Sequence, residues 1–101
     1  MNPMIQDDLA PIDHTEQIRS SLTGMKGDLV AIKANMGRSK VLERQGTVLE
    51  THPELFIVKV HEKRNRTIRA SYQYVDVLTG VVELFDPESG ESLFPWVAEL
   101  G

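Results

Sequence analysis

Apolar residues recur along this chain with two different periods, and the change from one to the other divides it. Between Asp13 and Gly27 they fall three or four residues apart, at Ile18, Leu22 and Met25, which is the spacing of one helix face. Asp13-His14-Thr15-Glu16 reads as the start of that helix. The Asp13 carboxylate is placed to accept the free amide of Glu16 while Glu16 reaches back, and Gly24 is placed to close the helix in a left-handed conformation. After Gly27 the period drops to two. Val30 and Ile32 share one side of a strand over 28–34, and Asn35-Met36-Gly37 is a turn. A long strand over 38–51 follows, in which Gly46 suits a bulge or sharp bend. Past the His52-Pro53-Glu54 break, Phe56, Val58 and Val60 alternate on one face of a strand over 55–61. A charged loop over 62–66 leads into a strand over 67–74 with Ile68, Ala70 and Tyr72 inward. The segment from Tyr74 to Thr79 is too short for a useful α-helix and precedes Gly80, so it predicts a single 3₁₀ turn before the last strand, 81–85.

Five short strands joined antiparallel, with one mid-strand bend, predict a mainly β fold. The expected form is a small SH3-like five-stranded antiparallel barrel with one N-terminal α-helix, whose closure would hide the strand edges. Three segments follow. Residues 1–12, with two prolines and Asp7-Asp8, read as a flexible acidic leader; 13–85 form the domain; 86–101 form an acidic and apolar tail. In that tail Leu93-Phe94-Pro95-Trp96-Val97 gathers the only tryptophan with other large apolar groups, which either fold back on the barrel or dock on another subunit.

Composition narrows the function classes. With 41% apolar and 26% charged residues the chain is of ordinary globular type. No apolar run approaches the ~18 residues that cross a bilayer, and the first residues lack a secretion signal, so a cytoplasmic protein without membrane association is expected. The absence of cysteine removes disulfides, thiolate nucleophiles and zinc–thiolate sites. Net charge is −4, but residues 19–85 hold all 11 Lys and Arg against seven acids, while the two ends carry eight acids and no cation. A basic body therefore has acidic ends.

The candidate site is a basic hairpin. Lys33, Arg38 and Lys40 flank one tight turn, Arg44 lies further along the next strand, and Arg69, pointing away from the core, extends the patch. Such a patch suits phosphate or an acidic protein surface, and repulsion of roughly 0.2–1 kcal/mol per facing like-charged pair is expected within it. Tyr74, half exposed at the start of the turn, could stack on a base, and Trp96 could form an interface; Tyr72 is assigned to the core. His14, His52 and His61 show no ligand or triad spacing with a carboxylate. No metal, cofactor or catalytic residue is therefore expected.

From Ile18 to Leu84 the chain resembles the Veg family of small bacterial proteins, known as stimulators of biofilm formation and linked to control of transcription. The resemblance is carried by Ser21-Leu22-Thr23-Gly24, Lys33-Ala34-Asn35-Met36-Gly37-Arg38-Ser39-Lys40, Glu43-Arg44-Gln45-Gly46 and Glu50-Thr51-His52-Pro53. Phe56-Ile57-Val58, the run Arg69 to Thr79 and Val82-Glu83-Leu84 complete it. Where the family is usually glycine-rich and doubly basic, this chain has Met36 and Ser39, which lowers the cationic density of the turn. The resemblance implies an SH3-like barrel and a non-enzymatic regulator acting through protein–protein binding, with a regulatory protein or repressor as partner. Direct RNA or DNA binding by the basic hairpin is the alternative, and a homodimer through the tail or the barrel edges stays open.

Overall fold

A computed structural model describes residues 13–37 and 39–100. The leader over 1–12 and Arg38 lie outside the described residues. Helix α1, His14–Thr23, begins where the sequence places it: the Asp13 carboxylate accepts the Glu16 amide at 3.2 Å and the Thr15 hydroxyl at 2.6 Å. The reciprocal half of the expected cap is not made, because Glu16 turns outward to pair with Arg19. Gly24 is right-handed, with φ −72°. The left-handed position is Gly27, φ +89°, whose N–H reaches the Val48 carbonyl at 2.8 Å and so ties the helix exit to the sheet.

The five strands are β1 Leu29–Asn35, β2 Val41–Thr51, β3 Leu55–Glu62, β4 Arg66–Gln73 and β5 Val82–Phe85. All neighbours are antiparallel, in the order β4-β3-β2-β1-β5. Strand number, the antiparallel pairing of β1 to β4 in succession and the mainly β character are those expected. The sheet is open, however: β4 and β5 are its two edges and are not paired to each other. Before β5 the chain forms α2, Tyr74–Leu78, an α-helical turn in place of the expected 3₁₀ turn, ended by Gly80 at φ +84°. The 3₁₀ geometry appears at Pro95–Glu99, whereas Lys63–Asn65 form a tight turn between β3 and β4.

The inner face of the sheet is the core. Val30 and Ile32 of β1, Val48 of β2, Phe56, Val58 and Val60 of β3, and Val82 and Leu84 of β5 are buried there under Ile18 and Leu22 of α1 and Tyr74 and Val77 of α2. The irregularity in β2 lies between Val48 and Glu50, not at Gly46. Gly46 is required for another reason, since a Cβ there would stand 2.9 Å from the Lys59 carbonyl oxygen. The tail folds back on its own chain. Leu93 donates its N–H to the Leu84 carbonyl at 2.9 Å, Phe94 enters the core, and Trp96 packs against Phe94 and His14. No helix of the described residues is long and apolar enough to cross a membrane.

Asp13, Glu50 and Asp86 sit below the ordinary carboxylate range for the same physical reason, donors aimed at the ionised form. The Thr15 hydroxyl and the Glu16 amide lower Asp13. Arg69 and then His52 lower Glu50, and the Ser89 and Glu88 amides lower Asp86. Each binds fewer protons folded than unfolded, so its stabilisation is present above the ordinary carboxylate range of about pH 4 and is lost as pH falls through the depressed folded value. Urea midpoints should therefore drop between neutral pH and about pH 3. The drop should shrink in Asp13→Asn and Asp86→Asn, and an unchanged drop in both would show that these caps do not carry the acid sensitivity.

Candidate functional site

Register decides which cations can meet. In the β1–β2 pair Lys33 stands opposite Glu43 and Ile32 opposite Arg44, so Lys33 and Arg44 are on opposite faces of the sheet. Lys33 is on the outer face, with Glu43 on one side and Glu83 of β5 on the other, and its ammonium lies 4.9 Å from the centre of the Phe85 ring. Lys40 is exposed in the turn. Arg44 is on the inner face and donates to Glu62 at 2.9 Å, with both side chains partly buried. Arg69 is on the outer face, two strands away from Lys33's hairpin neighbours, and pairs with Glu50 at 2.8 Å. Of the expected patch of Lys33, Arg38, Lys40, Arg44 and Arg69, Arg38 lies outside the described residues, and Lys33, Arg44 and Arg69 do not converge on one surface. Alternation of side chains along β2 divides the patch, and carboxylates already face three of its members.

The aromatic candidates also move. Tyr74 is buried, not half exposed: it stacks on Phe56 at 5.6 Å and its hydroxyl donates to the His52 carbonyl at 2.8 Å. Burial raises its pKa. Trp96 contacts its own chain, as described above. Tyr72 lies against Phe56 at 5.7 Å, in keeping with its core assignment.

The structure does assemble a basic surface, one hairpin further along. Strands β3 and β4 and their turn carry Lys59, Lys63, Arg64, Arg66 and Arg69, five cations against the single acid Glu62 over residues 59–69. All five are exposed. Glu62 is held by Arg44 from the neighbouring strand. Lys59, Lys63, Arg64 and Arg66 have no carboxylate within ion-pair distance among the described residues. Lys59 stands directly opposite Arg69, so the like-charge pair expected at the first hairpin occurs here. Glu50 offsets it on the Arg69 side.

Two residues of the turn are left-handed, Arg64 at φ 65° and Asn65 at φ 58°. Paired left-handed residues match the right-handed twist of a hairpin, and asparagine accepts this conformation readily. Arginine does not. Its Cβ crowds the carbonyl, at a cost of about 1–2 kcal/mol. The signal for this surface was in the sequence as the density of Lys and Arg over 59–69. The expectation of a charged loop over 62–66 takes in only part of that density.

No group of three or more His, Asp or Glu able to hold a metal occurs among the described residues. The histidines are dispersed: His61 meets Thr47 at 3.1 Å, His52 meets Glu50 at 2.9 Å, and His14 lies beside Trp96.

Comparison with known proteins places this arrangement. No curated protein matches the chain. A family model described as biofilm formation stimulator VEG matches residues 13–85, which run from the Asp13 cap through the last residue of β5 and include both hairpins. The match covers most of the chain and coincides with the helix and sheet just described, so the chain belongs to the Veg family of biofilm formation stimulators.

Proposed function

We propose that the protein is a non-enzymatic cytoplasmic regulator that stimulates biofilm formation, and bears on transcription, by binding an acidic partner protein through the β3–β4 hairpin. The family supports the biofilm role. The observation that carries the binding surface is the set of four exposed cations without a carboxylate partner, one of them, Arg64, held in a conformation that costs stability. Strain of this kind persists where the side chain is needed for something other than folding. A protein is favoured over a nucleic acid because Tyr72 and Tyr74 are engaged with Phe56, leaving no tyrosine on this hairpin to stack on bases.

Reversal of Lys59, Lys63, Arg64 and Arg66 to Glu should abolish capture of specific partners and the restoration of biofilm mass in a host lacking the protein. Reversal of Lys33 and Lys40 should leave both unchanged. An unaltered partner set in the first variant would end the reading. Arg64→Gly separates stability from recognition: it should raise stability by about 1 kcal/mol in urea denaturation while weakening binding several-fold. Tight binding of random duplex or single strands, with a log affinity against log salt slope near −4, would transfer the site to nucleic acid.

A further inference from the structure

The two edges of the sheet are treated differently. The edge of β5 is covered by its own tail, through the Phe85–Ser92 bridge and the Leu93 N–H to the Leu84 carbonyl. The edge of β4 pairs with nothing among the described residues, although β4 is eight residues long, contains no proline and has no register shift against β3. Such an edge presents alternate N–H and C=O groups outward and is a template for a further strand.

Resting on the reading of the hairpin as a binding surface, we infer that the outer edge of β4 accepts an extended acidic segment of the partner as an added strand. Side chains along β4 alternate between two rows. Ile68 and Ala70 lie in the inner row with Arg66 at its end, while Arg69 lies in the outer row with Lys59 behind it on β3. Ile68 is 47% exposed, unusual for a residue whose row continues into the core. An added strand would set its own side chains beside these in the same two rows. Apolar residues would cover Ile68 and Ala70 in the inner row, and a carboxylate in the outer row would face Arg69, with Lys59 behind it. The occupant is thus a segment in which apolar and acidic residues alternate. A second copy of this edge is disfavoured, because it would bring one cationic edge against another.

The test uses the full chain and synthetic peptides as long as β4. One alternates valine and glutamate, a second has the same composition with the two residue types in separate blocks, and a third alternates valine and lysine. Only the first should bind, with slowed hydrogen exchange at alternate amides of β4, and the blocked peptide should be at least about tenfold weaker. Lys59→Glu with Arg69→Glu should lose the valine–glutamate peptide and gain the valine–lysine peptide, a gain that an unfolded variant could not show. Equal binding of the blocked peptide, or binding without protection of β4 amides, would overturn strand addition. If neither acidic peptide binds while partner capture still requires Lys59, Lys63, Arg64 and Arg66, strand addition fails and the basic hairpin stands. Partner capture indifferent to those four cations would remove the hairpin itself.

Discussion

Phe56→Ala should lower the melting temperature by roughly 15–30 °C, the largest effect expected from any single truncation in this domain. Phe56 is fully buried at the second position of β3, the strand that touches both β2 and β4. Its cross-strand partners are Thr51 and Tyr72, and the Tyr74 ring stacks on it. Removal of such a ring costs about 3–5 kcal/mol through lost burial and the cavity left behind. A domain of this kind has only about 5–15 kcal/mol in total. Collapse around the cavity is hindered because Tyr74 is tethered by its hydroxyl to the His52 carbonyl and cannot drop into the space without breaking that bond. Thermal unfolding followed by circular dichroism checks this; a fall of only a few degrees would show that the rings of Tyr72 and Tyr74 close the gap.

Gly46→Val should follow closely, with a cost of about 3 kcal/mol, and Gly46→Ala with about 2 kcal/mol. A glycine in a strand interior ordinarily gains about 0.5–1 kcal/mol when alanine replaces it. Here the sign reverses. The added Cβ would stand 2.4 Å from Val58 Cγ1, 2.9 Å from the Lys59 carbonyl oxygen and 3.2 Å from Val60 Cα. A side-chain methyl can rotate away, but the Lys59 oxygen belongs to the β3 backbone, which moves only if the ladder between β2 and β3 opens. Val58→Ala in the Gly46→Ala background relieves the first contact and not the second, so it should recover only part of the loss in a double-mutant cycle. Full recovery would mean that the backbone approach is not limiting. Because β3 carries one side of the basic hairpin, Gly46→Ala should also speed amide exchange along 55–73 if the ladder is displaced.

Local signals in the chain were accurate where the physics is local. Asp13 caps α1 because a carboxylate three residues ahead of a free amide needs no distant partner. Phe56, Val58 and Val60 alternate on one face of β3 because successive side chains in any strand point to opposite sides. The misplacements had equally specific causes. Gly24 and Gly27 both follow the helix, and which one takes φ > 0 depends on the Gly27 N–H finding the Val48 carbonyl on β2. Gly46 looked like a bulge because its neighbour across the sheet was unknown. Tyr74 reads from the chain as the start of an open turn, and is buried because α2 packs against α1 and its ring stacks on Phe56 of β3.

The chain by itself determined the number of strands, their antiparallel succession, the helix start and the apolar core positions of β1 and β3. It also carried the excess of positive charge over 19–85 and the Veg-like runs. Only the tertiary structure decided where that charge acts. Pairing Ile32 with Arg44 and Lys33 with Glu43 sends the cations of the first hairpin to opposite faces, while Arg44 holds Glu62 and four of the second hairpin's five cations have no ion-pair partner among the described residues. A register is a relation between strands, set by which faces bury together, and one residue of slip would reverse every assignment made from either strand alone.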